Sequence, residues 1–231
     1  MIRIFNANKL TRQPFFQDVI NYLHDHEDVT LRQIKVAFEG EKNIDRQLEN
    51  AIEAGYIIRE NRRYRNAFSL LESLDGLSLD TEVFVDTEAA VFSRLKELTF
   101  RKELTNSTNE LIIVEEVDFV REGLTLDSYF YKMRSQEVLS RDQEKLYAIL
   151  GDINPDYALK YMTNFLLKFT RKEVVIQRRP DIFVEALLLL GFMNQVAPQT
   201  YALTMTMKKE DLIFSKKNKG PILGLAFVFI S

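Results

Sequence analysis

From Pro14 onward, Phe15, Phe16, Val19, Ile20 and Leu23 recur at helical spacing and predict one buried helix face. A proline suits the first turn of such a helix, where its missing N–H has no partner to lose. Thr30 with Gln33 three residues on reads as a capping box ahead of Leu31, Ile34, Ala37 and Phe38. Gly40 suits the left-handed exit from that helix. Asn43 is the next expected N-cap, and Ile44, Leu48, Ala51 and Ile52 form a third apolar stripe that Gly55 ends. The period then changes. "YIIRE" and "RYRNAF" are β-rich runs around Asn61 and Arg62, a predicted hairpin. The expected core of this part includes Phe16, Ile20, Ile34, Leu48 and Ile52.

Beyond residue 70 the pattern is mixed. "TEVFVD" predicts a strand, and residues 87–104 a helix with Ala90, Phe92, Leu95 and Leu98 inward. "NELIIVEEVDF" predicts another strand, and three helical segments follow. Ser140 with Gln143 is a second capping box, ahead of Leu146, Ile149 and Leu150. Asn154 and Pro155 start a helix through Tyr157, Ala158, Tyr161, Met162, Phe165 and Phe169, and Pro180 opens the apolar "DIFVEALLLLGF". The remainder, "TYALTMTMKKEDLIFSKKNKGPILGLAFVFIS", reads as strands separated by lysine-rich turns. The fold class is therefore α+β. The expected organisation is an N-terminal winged helix-turn-helix over residues 1–70 and a mixed α+β domain over residues 71–231.

Helix, short strand at residues 28–30, helix, helix and hairpin, in that order, resemble the winged helix-turn-helix superfamily over roughly residues 10–70. The opening "MIRIFNANKLTRQPFFQDVINYL" and the later "DVTLRQIK" also resemble a family of uncharacterised proteins from streptococci and related lactic-acid bacteria, domain of unknown function 1803 (DUF1803). The resemblance is clearest over the first 70 residues or so. It implies a small cytoplasmic bacterial protein and brings neither an activity nor site residues.

The 231 residues suffice for one large domain or two small ones, and 46% hydrophobic with 28% charged residues is an ordinary globular balance. No cysteine is present, which excludes disulfides and thiolate metal sites and fits a reducing cytoplasm. The start lacks the apolar run of a signal peptide, and the most apolar stretches, residues 182–193 and 221–230, fall short of the ~20 residues that span a bilayer. Both read as core elements of a soluble protein with no membrane partner. The net charge of −3 conceals an asymmetry. Residues 1–70 carry 11 basic against 10 acidic side chains, residues 71–124 carry 5 against 13, and residues 125–231 carry 15 against 11. The acidic middle repels nucleic acid, so any such contact falls to the flanking parts.

Catalytic chemistry is sparse. His24 and His26 are the only histidines and read as solvated residues at a helix C-terminus, where the dipole favours them. Asp86, Thr87 and Glu88 after a strand resemble the first metal-binding motif of DEDD-type exonucleases, in which paired carboxylates hold a divalent ion. No histidine follows His26, and no downstream Tyr-x-x-x-Asp completes that motif. The competing reading has Asp86 capping a helix with Glu88 in its first turn. Phosphate-binding loops, dinucleotide fingerprints and nucleophile elbows are absent from the sequence. No catalytic residue, cofactor or metal is expected, and an enzyme is the minority reading.

The hairpin and third helix carry the remaining candidates. Arg46, Gln47 and Asn50 face outward with side chains suited to guanine and adenine edges, and Arg59, Arg62, Arg63 and Arg65 suit phosphates or the minor groove. Asp45, Glu49 and Glu53 on the same helix oppose that use. Duplex DNA is the first expected partner. A second protein, docking on the winged helix and the acidic middle, is the other, with a metal-dependent nuclease third. Arg171, Lys172, Arg178 and Arg179 form a second basic cluster, and Lys216, Lys217 and Lys219 a further run, both read as solvated turns. No heptad repeat announces a dimer helix, so the oligomeric state stays open.

Overall fold

A computed structural model describes residues 1–216. The chain divides into two compact units, Met1–Leu98 and a second beginning at Thr99, and its class is α+β. Among the described residues no helix is long and apolar enough to cross a membrane.

The first unit runs β1 (Ile2–Phe5), α1 (Pro14–Asp25), β2 (Val29–Thr30), α2 (Leu31–Ala37), α3 (Ile44–Glu53), β3 (Ile57–Glu60), β4 (Arg63–Asn66), β5 (Val83–Asp86) and α4 (Ala90–Glu97). The capping box predicted for α2 is present: the Thr30 hydroxyl accepts from the Gln33 amide, and Gln33 accepts from the Thr30 amide. Strands β2, β4 and β3 form an antiparallel sheet in that order, and β1 pairs antiparallel with β5. Phe16, Ile20, Ile34 and Leu48 are buried in one core, with Ile52 half-buried against it. That core also takes in Ile2 and Phe84 from the β1–β5 pair, with Phe84 stacked on Phe68 at 3.9 Å between ring centroids.

Two local expectations for this unit are corrected. Asn43 precedes α3 in the left-handed conformation, φ 59°, and its side chain caps nothing. Gln47 instead reaches back from the first turn to donate to the Lys42 carbonyl and the Glu41 carboxylate, each at 2.8 Å. The helix expected over residues 87–104 spans only Ala90–Glu97. From Thr99 the sequence alternates, and period two overrides period 3.6 once a partner strand is present to pair it.

The second unit begins with that strand, β6 (Thr99–Leu104), followed by β7 (Ile112–Asp118), α5 (Leu126–Ser135), α6 (Arg141–Leu150) and α7 (Pro155–Leu166). A 3₁₀ turn (Leu167–Thr170), β8 (Val174–Ile176), α8 (Ile182–Leu189), β9 (Met193–Ala197), β10 (Thr200–Leu203), β11 (Thr206–Lys208) and β12 (Ile213–Ser215) complete it. One sheet has the order β11-β12-β7-β6, with β12 parallel to β7, and a second has β8-β10-β9. On β6 and β7, Arg101 lies opposite Glu116 and Lys102 opposite Glu115 in the antiparallel register. Leu146, Met162, Leu166, Leu187, Phe192 and Phe214 are buried in its core.

The Ser140–Gln143 capping box and the Asn154 cap are present as read. Helix α8 is capped by Asp181 rather than opened by Pro180. Helix α5 is not among the expected segments although Leu126, Tyr129, Phe130 and Met133 recur at helical spacing, and β8 and β9 are short runs that bury one residue each, Val175 and Met193. Tyr157 and Tyr161 lie on the outer face of α7 at 50% and 40% exposure. The apolar stretch 221–230, with Lys217 and Lys219, lies outside the described residues.

Candidate functional site

The candidate recognition face is built by α2, α3 and the β3–β4 hairpin. Alternation along β4 buries Tyr64 and turns Arg63 and Arg65 outward. The two-residue loop, Asn61 at φ 50° and Arg62 at φ 64°, has the double left-handed geometry that matches the twist of a tight hairpin. Asparagine tolerates that conformation, whereas arginine is disfavoured there. The tip thus presents a guanidinium at a backbone cost.

Most of the other cations on this face are tied to carboxylates of the same face. Arg59 Nη1 lies 3.3 Å from Glu49 on α3, and Arg65 Nη2 3.3 Å from Glu60 across the hairpin. Arg63 Nε is 2.7 Å from Asp28, and Lys35 Nζ on α2 is 2.7 Å from Asp45 on α3. A hydrogen bond with the Tyr64 hydroxyl, then the charge of Glu49, holds the Arg59 guanidinium even above its ordinary range. Gln47 is half-buried and occupied by Glu41 and Lys42. Arg46, Asn50 and Arg62 are exposed, and neither arginine makes an ion pair among the described residues. Over residues 28–66 eight basic side chains meet seven acidic ones.

The other sequence candidates are scattered. Asp86 ends β5, and its carboxylate accepts from the Glu88 amide and contacts the N-terminal ammonium of Met1, both at 3.1 Å. Those contacts, the amide first, hold its pKa below the usual carboxylate range. It caps a turn and not the helix as expected, because α4 starts only at Ala90. His26 stacks on Tyr22 at 4.2 Å just past α1, and His24 is exposed in its last turn. Among the described residues no three His, Asp or Glu side chains converge to hold a metal.

One polar cluster escaped sequence reading. Glu115 on β7 is fully buried, and its two oxygens accept from the Leu126 and Asp127 amides at 3.0 and 3.1 Å, at the start of α5. Burial pushes its carboxyl up to about 7, against the pull of those amides and of Lys216. Beside it Arg121 pairs with Asp127 and lies over the Tyr131 ring, 3.9 Å from its centroid. Lys132 Nζ is 3.0 Å from Glu122, and Gln143 Nε2 donates to the carbonyls of Arg121 and Gly123. The available signal was a carboxylate inside the apolar run of β7. These groups answer one another and fasten the β7–α5 loop, which is a structural arrangement.

Residues 2–98 match the model of a family described as Domain of unknown function (DUF1803), a span that ends with the first unit. No curated protein matches the chain, and no solved structure does.

Proposed function

We propose that the first unit, whose residues 2–98 match the DUF1803 family model, is a winged helix serving as a non-enzymatic module for docking another protein. The order of elements and the β2-β4-β3 pairing support the winged-helix reading. The observation that carries the choice of partner is the pairing of Arg59, Arg63, Arg65 and Lys35 with carboxylates of their own face. A duplex is a uniform polyanion and favours a surface of one sign. A face of interleaved charges is instead complementary to another patterned surface, where charge sets specificity and register. Val36, 70% exposed among Arg32, Lys35 and Glu39, supplies an apolar contact point there.

Duplex DNA is the second reading, favoured by Arg46, Asn50 and Arg62, which stand exposed on the helix and at the hairpin tip. The discriminating experiment uses the full chain and its Val36→Asp variant as baits in native lysate, with and without nuclease. A protein retained after nuclease by the parent and lost by the variant supports docking. Capture that nuclease abolishes, together with salt-sensitive binding of purified protein to random duplex, moves the function to DNA.

A further inference from the structure

Residues 125–231 carry 15 basic against 11 acidic side chains, and the cations around α7 and β8 are placed differently from those of the first unit. Along α7, Tyr157, Tyr161, Asn164 and then Lys168 beyond its end recur at helical spacing, all exposed. From Tyr157 to Asn164 this stripe covers about 10 Å of helix rise. Tyr161 lies parallel to Phe183 of α8, with ring centroids 5.1 Å apart and 9° between planes, and Tyr157 leans on it at 4.7 Å. Phe183 is itself buried, so the tyrosine rings are backed by the core and keep an open side. Asn164 is steadied by the Asn109 amide at 3.1 Å.

The stripe leads into a cleft of about 740 Å³ lined by Asn164, Lys168, Thr170, Arg171 and Lys172 with the backbone and side chains of β8. None of Lys160, Lys168, Arg171, Lys172, Arg178 and Arg179 makes an ion pair among the described residues. Lys160 and Lys168 lie instead near aromatic rings, 5.6 Å from the Tyr161 centroid and 4.5 Å from that of Phe165. Asp181 is spent capping α8, and Glu173 lines a smaller adjoining cleft that Arg171 and Lys172 also border.

We propose that the tyrosine stripe of α7 and the adjoining basic cleft bind single-stranded nucleic acid. Exposed rings offer every base a stacking surface, and unpaired cations at the end of the same stripe follow the phosphates. In a duplex the bases are already stacked and would leave the tyrosines unused. A lone phosphate would engage only the cleft.

Fluorescence anisotropy of the full chain with a labelled oligothymidylate of about 12 nucleotides tests this. Binding at low salt is expected, weaker for a duplex of equal length. Tyr161→Ala and Tyr161→Leu, the latter keeping apolar cover over Phe183, should each weaken it by about 5- to 150-fold with the salt slope unchanged. The triple variant Lys168→Ala, Arg171→Ala, Lys172→Ala should flatten the plot of log K against log salt by about two units. Arg62→Gly, in the first unit, should leave binding as it is. The site is refuted by absence of binding, by indifference to the Tyr161 variants, or by equally tight binding of duplex or of anionic phospholipid vesicles. Loss of binding in Arg62→Gly would refute it too, by moving the contact to the first unit.

Discussion

Arg121 Nη1 lies 2.5 Å from Asp127 Oδ2, and the two side chains are only 4% and 13% exposed. The pair spans the turn between β7 and α5, where the arginine itself sits at a left-handed φ of 56°. Breaking such a pair strands a buried charge, whereas replacing both members with apolar groups avoids that loss. Asp127→Ala should therefore destabilise the second unit by about 3–5 kcal/mol in urea unfolding. The double variant Arg121→Met, Asp127→Leu should recover most of it. A cost below about 1 kcal/mol would mean that water replaces the carboxylate and that the pair behaves as a surface one.

Glu115 gives the second unit a pH dependence. The folded chain holds this proton to about pH 7, while the unfolded chain releases it near the ordinary 4.5. Between those values the folded state binds more protons, so rising pH favours unfolding. The loss is complete above the folded pKa and amounts to on the order of 3 kcal/mol. Thermal melts of the parent and Glu115→Gln across pH 4.5 to 7.5 should show the downward slope only in the parent. Parallel curves would mean that the amides of Leu126 and Asp127 keep the carboxylate ionised.

In the first unit, Leu48 is 2% exposed at the centre of three helices. Leu48→Ala should cost about 2–5 kcal/mol, measured by chemical denaturation.

At the hairpin tip, Arg62→Gly should stabilise the first unit, by about 1 kcal/mol, because glycine accepts the left-handed backbone without the clash of a Cβ. A measured loss of stability would show that the arginine side chain makes contacts that outweigh its backbone strain.

Neutralising the carboxylates that hold the other arginines separates the two partner readings. The triple variant Asp28→Asn, Glu49→Gln, Glu60→Gln should change stability little, since exposed pairs contribute about 0–1 kcal/mol each. It should gain affinity for random duplex, with a salt plot steeper by about 0.9 for each arginine released. If the parent already binds duplex as tightly, the ion pairs do not hold these arginines back, and the DNA reading takes precedence.

The first 66 residues were legible because their signals are local. The capping box at Thr30, the stripes of α1 and α3 and the two-residue loop at Asn61 each depend on near neighbours in sequence. The β6 strand was not legible in the same way, since its partner begins eight residues beyond its end and decides its conformation. The run through α7 was read as a helix without a face for Tyr157 and Tyr161, since apolar and aromatic positions surround the helix and only its packing reveals which side is covered. The charges of the recognition face were all visible, but not their pairing. Arg59 and Glu49 lie ten residues apart, and it takes the fold of the hairpin onto α3 to bring them together.

The parallel pairing of β12 with β7 joins Ile213 to Ile112, closing a loop of roughly a hundred residues. On a ribosome the chain emerges from its first residue, and domains fold as their strands become available. Every strand of the first unit has appeared by Asp86, so that unit can form early. Strand β7, flanked on one side by β6, must wait with its other edge bare until β12 is made. Non-local strand closures are slow, and a waiting edge invites pairing with a neighbouring chain. The period of synthesis between Asp118 and Ile213 is therefore when this protein is most exposed to aggregation, and when a chaperone holding β7 would help it most.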